Sequence, residues 1–378
     1  MLAVLAATIV PMMLSEALLY RAHRHETSGL AAAVLDAWNL PRIGKKLLGF
    51  WFTIAVLAAI YWALPEYQAE FYRPFLNAMP VVLLVLAPLS VVYIAYVDAR
   101  QSEPRDAYVE VAELLGGRTP ADWTPLLAHA RSWLVKGFFL PLMFVFTAND
   151  LADFWSNRVS FDLSNFGLFY DFAYRFLYFC DVIVAAVGYL LTLRLFDAHI
   201  RSSEPTVLGW VVCLICYPPF WSLGSSYFAY DRDGATWGTF FWNMPVLYVV
   251  WGSIILALIA IYVLSTTAFG LRFSNLTHRG IITSGPYRWV KHPAYLSKNL
   301  TWWMISVPFL TTGDWTMAVQ NCLLLVAMNL VYFMRAVTEE RHLSKDPVYR
   351  EYQAFIAEHG LVAIIRRRLA PRAQSATS

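Results

Sequence analysis

The stretch GPYRWVKHPAY, residues 285–295, decides how the rest of the chain is read. It sets two prolines, two tyrosines, a tryptophan, a histidine and two basic residues between long apolar segments, chemistry that a plain connection between membrane helices does not need. After one hairpin's worth of apolar sequence a second polar cluster follows, RAVTEERHL at 335–343. The hairpin is expected to bring the two clusters together.

Outward from that pair, the chain reads as membrane protein. Hydrophobic residues make up 58% of the 378 and charged residues only 15%. Apolar runs near the roughly 18–20 residues needed to cross a bilayer recur throughout. In lipid the backbone must satisfy its own hydrogen bonds, so the fold class is all-α, a polytopic integral membrane protein. About nine spans are expected, at 2–20, 47–64, 75–97, 134–147, 168–195, 207–224, 241–270, 295–311 and 315–337, the fourth unusually short. The first lacks a basic flank and is expected to stay as an uncleaved helix. Interior prolines at 11, 80, 88, 218 and 219 mark expected kinks.

The basic residues give an independent check on this layout. With the N-terminus outside, the connections on the cytoplasmic side carry 21 Lys and Arg, and the opposite ones carry three, Arg73, Arg158 and Arg232. That asymmetry follows the positive-inside rule and puts the C-terminus and both polar clusters in the cytoplasm. The net charge of +3 makes no case for a nucleic-acid partner. The four cysteines lie in apolar segments with no disulfide framework or metal spacing; Cys213 and Cys216 form a CxxC read as packing residues of a membrane helix.

Two domains are expected. Residues 1–205 form a transmembrane region whose role the sequence leaves open, with a polar cytoplasmic insertion at 98–133. Within the insertion AYVEVAELL, stopped by Gly116 and Gly117, reads as a short helix, and TPADWTPLL starts another. In the fifth span Asp171 and Arg175 stand four apart near one end and read as an interfacial pair. Asp181 lies deeper, where a charge is a functional candidate by default. Residues 206–378 form the second domain. Its last two spans, joined by TTGD, must run antiparallel. Beyond them, Leu343, Tyr349, Tyr352 and Phe355 form an expected membrane-facing stripe of a cytoplasmic amphipathic helix, followed by Arg366, Arg367 and Arg368 against anionic headgroups. The closing AQSATS reads as disordered.

Gly285, Tyr287, Lys291, His292, Pro293 and Tyr295, then two apolar spans, then Arg335, Glu339, Glu340, Leu343, Tyr349 and Tyr352 resemble the isoprenylcysteine carboxyl methyltransferase family, with its relatives the phospholipid N-methyltransferases. The likeness runs from about residue 206 to 365. It implies a membrane enzyme that uses S-adenosyl-L-methionine and a lipid-like acceptor entering from the bilayer. By the same resemblance Arg279, Gly280, Ile281 and Ile282 meet the cosubstrate, partly through backbone. Tyr287, His292, Pro293, Ala294, Tyr295 and Glu339 join them in binding it. Arg335 holds the acceptor, and Arg335 and His292 are the implied catalytic residues.

The residue chemistry suits those roles. A sulfonium is already an activated methyl donor, so the protein has to align donor and nucleophile and exclude water. Tyrosine faces suit an adenine or a cation, Glu339 suits an ammonium, and Arg335 suits a carboxylate. Singly each has a plainer reading, as a structural histidine, a helix-dipole glutamate or belt aromatics. Jointly, in this order, they point to methyl transfer.

Two positions depart from the family's pattern. Lys291 stands for the usual Arg and loses its bidentate fork, and Ser297 stands for the usual Gly. Lys298, at the start of a membrane helix, snorkels to phosphate or meets an acidic substrate, and with Arg335 favours a carboxylate acceptor over an amine. No metal is called for. Two rivals stand beside this reading. The first is a sterol-reductase-like enzyme using NADPH, for which Thr338, Glu339 and Glu340 occupy the wrong signature. The second is a non-enzymatic transporter or scaffold centred on Asp171, Arg175 and Asp181.

Overall fold

Long apolar runs with their polar residues at the ends fold as helices because each backbone N–H then finds a carbonyl within its own segment. The computed structural model describes residues 2–36, 38–156, 160–225, 229–230 and 234–369. It is all-α, with one two-residue strand pair. The expected disordered end and the basic residues Arg158 and Arg232 lie outside the described residues.

The chain divides into two units. The first comprises Met1–Ser160, Tyr178–Thr206 and Gly270–Gly280. It holds α1 (Leu2–Leu14), α2 (Leu40–Ala63), the short α3 (Pro65–Gln68), α4 (Arg73–Asp98), α5 (Ala107–Leu115) and α6 (Thr124–Trp155), and the later half of α7 (Phe166–Leu190). Two short strands, β1 (Ser202–Ser203) and β2 (Thr277–His278), pair antiparallel, Ser202 opposite His278 and Ser203 opposite Thr277.

Within this unit α5 forms where the sequence puts it. Asp106 caps it, accepting from the N–H groups of Tyr108 and Val109, and Gly116 and Gly117 end it. Its seat on α2 depends on Gly49, where a Cβ would come within 2.1 Å of the Tyr108 carbonyl oxygen. Asp98, buried at the end of α4, takes Arg42 at 2.8–3.2 Å and Lys46 at 2.9 Å. Lys46 in turn reaches Asp106 at 3.1 Å and Gln101 at 3.1 Å.

The second unit comprises Phe161–Leu177, Val207–Phe269 and Ile281–Ser378. It holds the first half of α7, α8 (Val207–Leu214), α9 (Phe220–Gly224), α10 (Trp237–Phe241), α11 (Pro245–Thr267), α12 (Pro293–Ser306), α13 (Trp315–Leu343), α14 (Pro347–His359) and α15 (Leu361–Leu369). Gly252 lets α11 take the Phe166 and Trp237 rings, which a Cβ would meet below 3.0 Å. The expected hairpin is α12 and α13, stitched by the Trp303 indole N–H to Asn329 at 2.7 Å and the Asn329 amide to Asn299 at 2.9 Å. Asp314 caps α13 by accepting from the Met317 N–H.

Among the described residues six helices are long and apolar enough to cross a membrane: Leu40–Ala63, Glu70–Asp98, Thr124–Trp155, Phe166–Leu190, Pro245–Thr267 and Trp315–Leu343. Three of the nine expected spans are shorter than that. Residues 2–20 form α1 and a five-residue π turn. Residues 207–224 break into α8 and α9 around Pro218 and Pro219. Residues 295–311 shorten to the 14-residue α12, which ends where Val307 turns left-handed at φ 42°. The fourth span, expected to be the shortest, is the longest helix, with 32 residues. Its polar ends, with Arg131, Asn149 and Asp150, interrupt the apolar run but not the backbone ladder.

Asp171 and Arg175 do pair, Nε to carboxylate at 3.1–3.2 Å. The expected membrane-facing stripe needs correction. Tyr349 and Tyr352 are buried, at 3% and 5% exposure, against Tyr287, while Phe355 is the exposed member. The 285–295 loop takes the place of lipid against those rings, because the Tyr352 hydroxyl finds the carbonyls of Tyr287 and Val290 there.

Candidate active site in the second unit

On α13 Tyr332, Arg335 and Glu339 fall at i, i+3 and i+7, one face of a helix. Facing them is the 285–295 loop. Gly285, at φ 59°, opens a short 3-10 turn through Arg288. His292 precedes Pro293, the first residue of α12, and its backbone (φ −127°, ψ 63°) stays out of the helical region that a following proline disfavours.

The two motifs meet through both glutamates. The Tyr295 hydroxyl donates to Glu339 Oε2 at 2.7 Å. The neighbouring Glu340 closes the loop: Lys291 Nζ lies 2.7 Å from Oε2, His292 Nε2 3.0 Å from Oε1, and Gln353 Nε2 of α14 3.2 Å from Oε2. The His292 and Tyr295 rings are parallel within 2°, centroids 5.4 Å apart. Lys291 thus spends its charge on Glu340. Ser297 is buried and donates back to the Pro293 carbonyl at 2.7 Å, so its extra hydroxyl is satisfied within the helix.

Rings surround two cations here, Arg335 of α13 and Lys298 of α12. Arg335, buried, lies over Tyr332 at 5.0 Å, Tyr295 at 5.1 Å and Tyr217 at 5.8 Å. Lys298 lies over Tyr262 at 5.2 Å, Trp302 at 5.7 Å and Tyr332 at 5.8 Å. Tyr332, edge-on to both Tyr295 and Trp302, is common to the two cages.

Behind the loop Tyr287, Tyr349 and Tyr352 form a core with Ile281 and Ile282 packed on it. The Tyr352 hydroxyl donates to the Tyr287 carbonyl at 2.8 Å. Burial holds the Tyr287 and Tyr352 hydroxyls above the usual phenol range, so both stay protonated donors.

Of the expected site residues, Ile281, Ile282, Tyr287, His292, Pro293, Ala294, Tyr295, Lys298, Arg335 and Glu339 all belong to this unit. Arg279 and Gly280 belong to the first. There the Arg279 guanidinium is spent on four carbonyls, those of Phe273, Ala198, Gly188 and Leu191, at 2.6–3.3 Å. Gly280 sits at φ 121°, and a Cβ there would press on Arg272 Cδ at 3.2 Å. What these two positions can offer a ligand is backbone. Among the described residues no group of three or more His, Cys, Asp or Glu is placed to hold a metal ion.

Sequence reasoning named Glu340 only as a motif position and gave no site role to Gln353, Tyr217, Tyr262, Tyr332 or Trp302. The signal was present: Tyr332 stands three before Arg335 and Trp302 four after Lys298, each on its partner's helix face.

The loop, the hairpin and the Arg335 to Glu340 helix end fall within one known family model. Residues 244–345 match the isoprenylcysteine carboxyl methyltransferase (ICMT) family. The likeness covers this segment, under half of the chain. It spans α11, α12 and α13 with the loop between, and so contains both motifs; the tyrosines of α14 that brace the ICMT segment lie beyond it. No curated protein and no solved structure matches the chain.

Proposed function

We propose that the second unit is an S-adenosylmethionine-dependent methyltransferase that esterifies a carboxylate on a lipid-like acceptor entering from the bilayer. One observation carries this reading: the two polar motifs close on each other, Tyr295 on Glu339 and Lys291 with His292 on Glu340.

The donor set fits the cosubstrate. Glu339 is an anionic partner for its ammonium, the faces of Tyr295 and His292 suit a purine or a sulfonium, and the backbone of Ile281 and Ile282 offers further polar groups. S-adenosylmethionine supplies an activated methyl group. The chain's own work is then binding and alignment. Arg335 and Lys298 attract and orient an anionic acceptor, and the rings around them keep water from the reacting pair. A carboxylate is already deprotonated at neutral pH, so no general base is needed. Glu340 fixes the loop by holding Lys291 and His292, which makes His292 a positioning residue in this scheme. The bias of basic residues supports placing both motifs on the cytoplasmic side, within reach of a soluble cosubstrate.

The test is to incubate membranes containing the protein with S-adenosylmethionine carrying an isotopic methyl label, then treat the lipids with alkali. Release of the label as methanol is expected. Label that survives alkali would move the assignment to a phospholipid amine, and stabilisation of the purified protein by NADPH alone would move it to a reductase.

A further inference from the structure

The last described helix, α15, is not accounted for by the site. None of its nine residues is buried. At 3.6 residues per turn Leu361, Val362, Ile365 and Leu369 fall within an arc of about 100°, and they are exposed at 42%, 66%, 47% and 77%. Arg366, Arg367 and Arg368 encircle the final turn. The helix dipole explains cations at a C-terminal turn. It does not explain an apolar arc left uncovered beside them. Long arginine stems that reach past an apolar face to charged heads suit the boundary between acyl chains and anionic headgroups.

The start of α15 is tied to the loop that bears the first motif. The Leu361 N–H donates to the Trp289 carbonyl at 2.8 Å. Gly360 makes this approach possible, because a Cβ there would lie 3.0 Å from the same oxygen and 2.6 Å from the Ile356 carbonyl oxygen. Trp289 itself is 53% exposed and stands two residues from Lys291 and three from His292.

We propose that α15 docks on an anionic lipid leaflet, and that docking orders the 285–295 loop through the Leu361 to Trp289 hydrogen bond. The segment is thus a sensor of membrane charge joined to the site. Attraction comes from the three arginines, insertion from the apolar arc, and transmission from one backbone contact. The proposal stands whichever reaction the loop serves.

Hydrogen exchange tests it without any activity assay. The full chain is placed in nanodiscs of phosphatidylcholine alone or of phosphatidylcholine mixed with phosphatidylglycerol, and exchange is followed in 361–369 and 285–295. Anionic lipid is expected to slow exchange in both segments, by on the order of tenfold. The triple substitution R366Q, R367Q and R368Q should abolish that lipid dependence in both. Leu361→Pro removes the one donor while suiting the first position of a helix, and Gly360 already has the extended backbone that proline requires before it. It should leave α15 protected by anionic lipid and the loop indifferent to it. Equal exchange in the two lipids would overturn the docking, and a loop still protected in Leu361→Pro would overturn the coupling.

Discussion

The end of α4 and the surroundings of α13 both hold charge, and the second adds an arrangement that the first lacks. At Asp98 each charge meets an opposite one, with Arg42 on one side and Lys46 on the other, and Lys46 goes on to Asp106. Around α13 Glu340 is closed in the same manner, while Lys298 of α12 is lodged against aromatic faces. A cation neutralised by a carboxylate fixes architecture, because breaking the pair strands a buried charge. A cation set among rings is stabilised by their quadrupoles yet keeps its field for an anionic guest. The contrast separates a joint from a binding site.

Breaking the joint should have the largest effect. Asp98→Ala leaves Arg42 and Lys46 without their central acceptor and should destabilise the protein by about 3–5 kcal/mol, read from thermal or denaturant unfolding in detergent. Loss of less than about 1 kcal/mol would erase the contrast. Arg335→Ala should lower kcat/KM for the acceptor on the order of 100-fold, with cosubstrate affinity unchanged by calorimetry. Lys298→Gln should raise the acceptor KM by roughly fivefold and leave the melting temperature close to that of the parent; a large drop in melting temperature would make Lys298 part of a joint instead. Arg175→Ala serves as the exposed control. Its pair with Asp171 is about half exposed on both sides, so the change in stability should stay below about 0.5 kcal/mol.

Much of this was readable from residue order alone. The pairing of 285–295 with 335–343 follows from two apolar runs and a short connection, since an antiparallel hairpin returns its ends to the same side. Asp106 and Gly116 bracket α5 by cap chemistry that depends only on neighbours. Three things were hidden. Glu339 and Glu340 lie about 100° apart on one helix, so which of them faces Tyr295 depends on the rotation of α13, which packing sets. Tyr349 and Tyr352 have the same spacing whether they meet lipid or protein, and only the fold of the 285–295 loop supplies the carbonyls they bind. The length of α6 was hidden because hydropathy registers the apolar middle, while the helix continues through Arg131 and Asp150.

The joining of the two motifs into one cosubstrate site is tested most directly by titrating S-adenosylmethionine into the purified protein and into its Tyr295→Phe, Glu339→Gln and doubly substituted forms. The parent should bind, each single change should weaken binding by about tenfold, and the double change should cost little more than either, because both remove one shared contact. No binding by the parent, or losses that simply add, would contradict it.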